Sequence, residues 1–397
     1  MTGRAVSGGR RADEAGMGAD AGEARRPRLL MVAEAASAHT ARWARYFADA
    51  GFAVTVASSS PSAGDTSGFD LVRFPPAGAW WTRLPRVRLG GGWQRWVAGW
   101  PSWQAMLQRV KPDLVHVHFV SGEARDYFYY RACRRLVVST YGSDVVFDPA
   151  APPSRATTRR IRSLLRQAST VSATSRFLEA ETRRFVPSGR PIAVVPCGVD
   201  CRRFVPRTRT AERTDRLVFG FAKHLHAKYG PDVLLDAFAA VVARHPHVRL
   251  VLAGDGPLAS SLRQQAAALG VTAQLELAGR VDPPDMPSFL QRVDVFVMPS
   301  VVQESFGVAA LEASACALPV VAPAVGGVPE VGLNGHTGIL VPPRDAVALA
   351  NACIELIEHP ARRHAMGEAG RRFVMSRYDW NETASAMRDL YSSLLAH

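Results

Sequence analysis

The chain has 397 residues, and at about 150 residues per domain this length indicates two domains. Charged residues make up 21% and hydrophobic residues 47% of it, which is typical of a globular protein and excludes a fibrous or largely disordered one. The sequence has 48 basic and 35 acidic residues, a formal net charge of +13. This excess favours anionic partners, although a diffusely basic surface without such a partner is the alternative.

Residues 1–27 contain no Leu, Ile or Phe and show no hydrophobic period, so we predict a disordered tail there. This stretch lacks the apolar core of a signal peptide, and no apolar run is long enough to span a bilayer. A cytoplasmic location is therefore expected. Peripheral binding at the inner face of a membrane stays open because of the positive charge.

Short apolar runs alternate with helical segments along the rest of the chain. The first series lies at 29–33, 53–57, 71–74, 114–119, 136–139, 170–173 and 192–196, and the second at 217–221, 250–253, 275–278, 293–298, 320–322 and 339–341. Parallel strands need crossover helices and are buried on both faces, so uniformly apolar runs in this alternation predict parallel sheets. We expect an α/β protein with two doubly wound Rossmann-like domains that face a cleft.

The Arg-, Thr- and Pro-rich stretch 202–216 reads as the linker between the two series. We place the first domain at 28–205, the second at 206–379 and a final helix at 380–397. The C-terminal helices are expected to pack back toward the first domain.

Chemically informative residues follow the predicted strands of the second domain. Lys223 and Lys228 come after the first strand of this domain, and Gly254 and Gly256 after the next. A later strand leads into a loop with Glu304 and then a helix. Because the carboxyl ends of parallel strands share one edge, these groups are expected to line one ligand site. The helix start offers free amides to a phosphate, and the lysines offer positive charge.

Several segments resemble a known family. They are Pro299-Ser300, Glu304-Ser305-Phe306-Gly307, Leu311-Glu312-Ala313, Pro319-Val320-Val321-Ala322, Gly326-Gly327-Val328-Pro329-Glu330, Gly335-His336-Thr337-Gly338, and Val195-Pro196-Cys197-Gly198-Val199-Asp200. Together they resemble the family 4 (group 1) retaining glycosyltransferases, which have the two-domain GT-B fold. The likeness is strong in the second half of the chain and looser in the first.

The resemblance implies a role for each matching residue in the second domain. Glu304 would bind hydroxyls of the donor sugar, Glu312 the ribose, and Lys223 with Lys228 the diphosphate. The remaining donor-side residues that it implies are Ser305, Phe306, Gly307, Val308, Gly254, Gly256, Arg280 and Val281. We assign Glu304, Lys228 and Lys223 to catalysis.

On the acceptor side, the looser match of the first domain implies His39, His118, Tyr141 and Asp144. Tyr141 departs from the family, because many members carry a histidine there beside the reacting centre. Tyrosine can donate a hydrogen bond but does not titrate near neutral pH. Cys197 and Ala317 are two further departures, which we interpret as changes in packing.

Residues 75–110 hold six of the chain's eight tryptophans, interleaved with arginines. Trp96, Trp100 and Trp103 share one face of a predicted helix at 93–108, which indicates core packing. Trp80 and Trp81 lie in a stretch without helical period, which favours an exposed loop. A lipid interface or an acceptor platform remains the alternative for the segment 80–103.

The sequence therefore predicts a retaining glycosyltransferase that moves a hexosyl unit from a UDP- or GDP-linked donor to a saccharide, glycolipid or natural-product hydroxyl. No Asp-x-Asp pair follows a strand, and the five cysteines are scattered, so neither a metal nor a cofactor is expected. Nothing resembles a nucleic-acid module. The alternatives are a phosphorolytic enzyme on the same fold, and a membrane-surface protein with a degenerate cleft.

Overall fold

The computed structural model describes residues 25–58, 66–74, 102–120, 129–148, 150–208, 216–332 and 335–396. In this part of the chain, two parallel β-sheets are each covered by helices on both faces. The first sheet is built from the chain before residue 195 and the second from the chain after residue 217. The prediction of two doubly wound α/β units is confirmed.

The first sheet has seven strands in the order β3-β2-β1-β4-β5-β6-β7. They are β1 (Arg28–Val32), β2 (Ala53–Ser58), β3 (Asp70–Arg73), β4 (Leu114–His118), β5 (Leu136–Thr140), β6 (Thr170–Ala173) and β7 (Ile192–Val194). Its helices are α1 (Ala38–Asp49), α2 (described over 102–110), α3 (Arg155–Gln167) and α4 (Arg176–Arg183). One hydrophobic core joins α1 to one sheet face, and another joins α2 and α3 to the other.

The second sheet has six strands in the order β10-β9-β8-β11-β12-β13. They are β8 (Val218–Ala222), β9 (Arg249–Ala253), β10 (Leu275–Gly279), β11 (Val295–Val297), β12 (Val320–Pro323) and β13 (Gly338–Val341). The intervening helices are α5 (Pro231–Arg244), α6 (Ala259–Ala268), α7 (Met286–Leu290) and α8 (Val308–Ala315). Both strand orders reverse direction beside the first strand of the sheet, the arrangement that creates a binding crevice at the carboxyl edge.

Uniform burial explains why the apolar runs predicted the strands well. Every residue of β4, β5 and β12 is buried, as expected for central strands with helices on both faces. The run 293–298 is longer than its strand, because β11 begins only at Val295. Asp294 instead uses its carboxylate to accept a hydrogen bond from the backbone N–H of Val218 (2.9 Å).

Three helices end the chain: α9 (Ala346–Glu358), α10 (Pro360–Arg377) and α11 (Trp380–Leu395). The last returns to the first sheet, where Ala384, Met387 and Tyr391 join the core formed by β1 and α1. The chain thus crosses between the sheets twice, and the crossings meet in a parallel bridge between Val199 and Asp379. The predicted return of the C-terminal helices is confirmed.

Residues 25–27, which we placed in the predicted tail, contact the first sheet. Arg25 forms a 2.5 Å ion pair with Asp113, and the carbonyl of Pro27 accepts a hydrogen bond from the backbone N–H of Ala53. These residues extend β1 toward its neighbours, a pairing that composition cannot reveal. Residues 1–24 lie outside the described residues.

Trp103 is fully buried in the core between α2 and the first sheet, as its helical spacing predicted. The other members of the tryptophan- and arginine-rich segment lie outside the described residues; they are Trp80, Trp81, Trp93, Trp96, Trp100, Arg83, Arg86, Arg88 and Arg95. No helix in the described residues is both long and apolar enough to cross a membrane.

Candidate active site

The predicted donor-side residues gather where the second sheet reverses direction. Lys223 directly follows β8, and Glu304 lies in the loop that follows β11, the strand paired with β8. The amino-terminal sheet has the same arrangement, since α1 with His39 follows β1 and His118 ends the neighbouring β4. The candidate residues of each domain therefore lie at its switch point, the place where the strand order of the sheet reverses.

Lys223 and Glu304 are in direct contact. The Lys223 ammonium donates a short hydrogen bond to Oε1 of Glu304, and the hydroxyl of Ser300 donates to the same oxygen (2.6 Å). Both charged side chains are largely shielded from solvent. This shielding strengthens the ion pair and fixes the carboxylate at the mouth of the β11–α8 loop.

Lys228 is exposed and has no carboxylate partner among the described residues. Its ammonium lies 4.8 Å from the ring centroid of Tyr229, and that of Lys223 lies 4.6 Å from the same ring. The backbone carbonyl of Lys228 accepts a hydrogen bond from the backbone N–H of Val301 (3.0 Å). Lys228 is therefore held beside the loop that carries Glu304 while its charge stays available to an anion.

Two glycine turns let neighbouring loops approach this site closely. A Cβ on Gly254 would lie 2.0 Å from the carbonyl oxygen of Lys223, and one on Gly256 would lie 2.4 Å from that of Leu225. The amide of Gly254 also donates to the carbonyl of Gly279 (2.7 Å) at the end of β10. The turn after β9 thus joins the loops after β8 and β10 into one rim.

Arg280 and Val281 continue this rim beyond Gly279. The Arg280 guanidinium is exposed and pairs with Asp282 (3.1 Å), while Val281 packs partly against the core. The structure therefore places the Arg280 side chain in solvent at the outer strand of the sheet and away from the lysine–glutamate pair. Because both side chains are directed elsewhere, only the backbone groups of this segment are left to contact a ligand in the crevice.

The amino end of α8 points into the same crevice. Gly307 precedes the helix with φ +101°, which favours glycine, and Val308 begins the helix with its side chain 40% exposed. Phe306 is buried and packs edge-on against Tyr378, with centroids 5.3 Å apart. The buried ring anchors the turn, so the first amides of α8 are presented at a fixed position.

Glu312 lies on α8 and is half-buried, near the positive charges of Arg42 and Arg203. Burial raises the pKa of its carboxyl to about 7, and the charges of Arg42 and Arg203 oppose that rise. Arg42 belongs to α1 in the amino-terminal sheet, with its guanidinium over the ring of Trp380 (5.0 Å). A carboxylate of the second domain and a cation of the first therefore share one environment.

This raised pKa predicts how stability depends on pH. The unfolded chain releases the Glu312 proton near pH 4.5, whereas the folded chain keeps it up to about pH 7. The contribution of this group is therefore fully present below pH 4.5 and is lost as the pH rises through 7. We expect the stability of the wild type relative to Glu312→Gln to fall over this window. Denaturant unfolding at several pH values measures it, and a constant difference would contradict it.

The predicted acceptor-side residues form an aromatic cluster in the amino-terminal domain. His118 and Tyr141 stack with centroids 5.7 Å apart, and a 2.7 Å hydrogen bond joins Nδ1 of His118 to the tyrosine hydroxyl. His39 meets the Tyr141 ring edge-on at 5.0 Å and accepts a hydrogen bond from the indole of Trp43 (3.0 Å). The structure therefore brings His39, His118 and Tyr141 together at the edge that faces Glu304.

The histidines in this cluster are neutral at physiological pH. Burial, and then the charge of Arg42, lowers the pKa of His39 to about 4. Burial also lowers the pKa of His118 well below its usual value. His118 is 7% exposed, and its Nε2 has no partner among the described residues. A buried imidazole nitrogen without a partner is costly unless a ligand completes it.

Asp144 has a different place from the one expected. It is fully buried, and its carboxylate accepts hydrogen bonds from the backbone N–H groups of Val120, Tyr141 and Gly142 (3.2, 3.2 and 2.7 Å). Asp144 therefore ties the loops after β4 and β5 together and holds Tyr141 in position. The family match implied an acceptor-side role for Asp144, whereas both of its carboxylate oxygens accept hydrogen bonds from backbone amides.

The two domains touch through the loops that carry the candidate residues. The Ser175 hydroxyl, at the start of α4, donates to the backbone carbonyl of Ser305 (2.6 Å). The Glu330 carboxylate accepts from the backbone N–H groups of Arg176 and Phe177, both at 2.8 Å. One glutamate of the second domain thus caps a helix of the first domain. The amide of Gly327, in the same loop as Glu330, donates to the carbonyl of Glu304 (2.8 Å).

Comparison with known proteins agrees with this architecture. Residues 205–373 match the model for "Glycosyl transferases group 1", and residues 36–203 match the one for "Glycosyltransferase Family 4". A GDP-mannose-dependent alpha-(1-6)-phosphatidylinositol monomannoside mannosyltransferase of Mycolicibacterium smegmatis is 34% identical over 275 residues, covering 65% of this chain and 70% of that protein. The chain belongs to the family 4, group 1, glycosyltransferases.

Further sequences and solved structures are similar to this glycosyltransferase. A D-inositol 3-phosphate glycosyltransferase of Saccharomonospora viridis is 35% identical over 220 residues, covering 52% of this chain and 51% of that protein. Sucrose-phosphate synthase from Thermosynechococcus elongatus superposes with a TM-score of 0.76 at 20% identity, covering 94% of this chain and all of that one. Anabaena HepE, solved with UDP and glucose, superposes with a TM-score of 0.71 at 19% sequence identity, covering 92% of this chain and 99% of that one. The glycosyltransferase thus has the GT-B fold.

Sequence reasoning missed Ser175, Glu330 and Arg42 as residues of the cleft. The sequence showed Glu330 only as part of a segment that matches the family, because its hydrogen-bond partners lie more than 150 residues away in the chain.

The composition of the chain also points to the lysines of the site. Three lysines occur in the glycosyltransferase, at positions 111, 223 and 228, and two of them lie at the candidate site. In a chain that otherwise uses arginine, this placement marks positions where a compact point charge is needed.

The Glu330 cap predicts a mutational effect on activity. Replacing Glu330 with Ala removes the charged acceptor of two hydrogen bonds that hold the second domain against α4 of the first. We expect turnover to fall roughly tenfold, with nucleoside diphosphate binding to the second domain almost unchanged. Glu181→Ala, which breaks the surface ion pair with Arg184, is the matched control. Normal turnover in Glu330→Ala would show that this contact between the domains does not affect turnover.

A cavity of about 700 Å³ lies elsewhere in the glycosyltransferase. Its lining includes Leu217, Asp294 and Pro319, which precede β8, β11 and β12. It therefore opens at the amino edge of the second sheet, opposite the lysines. It contains none of the candidate residues and does not contribute to the site described above.

Proposed function

We propose that this glycosyltransferase moves a mannosyl group from GDP-mannose to a hydroxyl of an inositol-containing glycolipid, with the anomeric configuration retained. The observation that carries the reaction type is the pairing of two switch points. One offers Lys223, Lys228 and Glu304, and the other offers a buried His118 with an unpartnered nitrogen. The donor and acceptor classes are inferred from relatives named as GDP-mannose-dependent phosphatidylinositol monomannoside mannosyltransferases.

On the donor side, we propose the roles that the family resemblance implies, and contacts within the site support several of them. Glu312 accepts hydrogen bonds from the ribose, and the nearby charges of Arg42 and Arg203 favour its ionised form although burial raises its pKa. Lys228, exposed and without a carboxylate partner among the described residues, binds the diphosphate together with the first amides of α8 at Gly307 and Val308. Glu304, fixed by Lys223 and Ser300, binds hydroxyls of the sugar.

Ser305 and Phe306 shape the turn before α8. The loops at Gly254, Gly256, Arg280 and Val281 frame the nucleobase with backbone groups.

The proposed chemical step needs charge stabilisation rather than a protein nucleophile. The acceptor oxygen bonds to the anomeric carbon on the face from which the diphosphate departs. The bond between that carbon and the phosphate oxygen breaks, and the acceptor proton passes to the departing phosphate. Negative charge grows on the diphosphate during this step, so fixed cations such as Lys228 and Lys223 lower the barrier.

The proposed acceptor site lies at the aromatic cluster. A neutral His118 whose Nδ1 is bonded to Tyr141 leaves Nε2 to bind a hydroxyl of the acceptor. His39 closes the side of this pocket, and Asp144 holds the Tyr141 loop. We propose that no metal or cofactor takes part, so that EDTA would leave the rate unchanged; loss of activity in EDTA would overturn this part.

Titration and a hydrolysis screen test the proposal. GDP should bind more tightly than UDP in isothermal titration, and GDP-mannose should be hydrolysed faster than UDP-glucose. Glu312→Ala should weaken GDP binding by about 1.5–3 kcal/mol, because a hydrogen bond to a charged group is lost. Arg263→Ala, an exposed change on α6, is the control. Unchanged GDP affinity in Glu312→Ala would remove that residue from the site.

A further inference from the structure

One face of α3 carries an uninterrupted row of arginines. Arg155, Arg159, Arg162 and Arg166 are spaced four, seven and eleven residues from the first, and all four are exposed. At 100° per residue they fall within about 60° of the helix circumference, in a line about 17 Å long. The opposite side of the helix packs Ile161, Leu164 and Leu165 into the core, which fixes the direction of the row.

No acidic side chain pairs with this row in the described residues. The helix itself contains no Asp or Glu, and none of the four arginines takes part in an ion pair within the described ranges. Like charges spaced three and four residues apart repel each other and destabilise a helix. By contrast, Arg183 and Arg184 on the adjacent α4 are each paired with a glutamate of their own helix. The arginines of α3 thus differ from those of the adjacent α4 in having no acidic partner among the described residues.

The row begins at the edge of the cleft. α3 follows the loop that contains Tyr141 and Asp144, and it runs antiparallel to β5. Its far end lies at the amino edge of the sheet, where the amide of Ser169 donates to the carbonyl of Leu136 (2.6 Å) at the start of β5. Arg155 is thus nearest the acceptor cluster, and Arg166 is farthest from it.

We propose that this arginine row docks the protein on an anionic phospholipid surface. Four cations along one straight side of a helix match a plane of headgroups, and each basic residue near such a surface adds attraction. Proteins that bind single-stranded nucleic acid also use aromatic side chains on which the nucleobases stack, and α3 has no aromatic residue. The proposal rests on the proposed function in one respect: an acceptor that stays in a membrane requires the cleft edge to reach that membrane.

Co-sedimentation with vesicles tests the docking surface in the full-length chain. The vesicles contain phosphatidylcholine alone or with phosphatidylglycerol at about 30 mol%. The variant Arg155→Gln/Arg159→Gln/Arg162→Gln/Arg166→Gln removes the row with little change in helix propensity. The variant Arg249→Gln/Arg263→Gln/Arg292→Gln/Arg372→Gln removes the same charge from exposed positions after residue 216.

We expect the wild type and the control variant to sediment with the anionic vesicles at low salt and not with the neutral ones. The row variant should lose roughly two to three orders of magnitude in vesicle affinity. Equal binding by the row and control variants would overturn the proposal, as would a wild type that ignores anionic vesicles. A wild type that instead binds an RNA oligonucleotide through the row would reassign it to nucleic acid. GDP titration of the same variants checks the donor site separately, so the two proposals can fail independently.

Discussion

Replacing Lys228 with alanine should lower turnover by roughly 10²–10³-fold, with a much smaller rise in the donor Michaelis constant. The reason is that charge on the departing diphosphate grows in the transition state, so the lost cation matters most there. Lys223 cannot substitute, because its ammonium is already bonded to Glu304. Steady-state kinetics with a nucleotide-sugar donor measure the effect.

Two further variants sharpen this experiment. Lys228→Arg keeps the charge but changes its shape and reach, so we expect partial activity. Arg244→Ala removes a cation that is paired with Glu358 far from the cleft, and it should leave turnover unchanged. Normal turnover in Lys228→Ala would show that the exposed lysine is a surface residue.

Replacing Trp103 with alanine should destabilise the amino-terminal domain by about 3–5 kcal/mol. The indole is fully buried and contacts the rings of Phe74 and Tyr130 edge-on, with centroids 5.4 and 5.2 Å away. Its removal leaves a cavity between α2 and the sheet that the surrounding helices cannot fill. Denaturant unfolding measures the loss.

Trp103→Phe retains an aromatic ring at the same place, and we expect it to lose a smaller part of the stability. A loss below about 1 kcal/mol for Trp103→Ala would mean that the core relaxes around the missing ring. That result would also weaken the core interpretation for the neighbouring tryptophans of the same predicted helix. Nucleoside diphosphate binding in the second domain should be unaffected by either variant.

Most of the fold could be predicted from the sequence because the strands are buried on both faces. Runs such as 29–33 and 250–253 are apolar from end to end, so their positions and their parallel pairing follow from composition and alternation with helices. The strand ends then predicted that Lys223 and Glu304 lie together, because parallel strands place their carboxyl ends at one edge.

What the sequence did not reveal depends on contacts between distant parts of the chain. Glu330 caps α4, and Asp144 ties two loops, but a lone acidic residue has the same local pattern whether it caps a helix or binds a ligand. The environment of Glu312 likewise depends on Arg42, which lies 270 positions earlier. Hydrophobic periodicity describes a segment and its own face, so it cannot report a partner across a domain interface.

The side-by-side crossings at Val199 and Asp379 bear on how the molecule can move. Val199 donates its amide to the carbonyl of Tyr378 (2.8 Å) and accepts from the amide of Trp380 (2.9 Å). Two separate tethers would resist rotation, whereas two bonded strands form a single pivot. We expect a turn about this pivot to break the rim contacts of Ser175 and Glu330 while the hydrophobic cores around each sheet stay whole. Nucleotide and acceptor would then exchange through one mouth, whose opening is limited by a few hydrogen bonds.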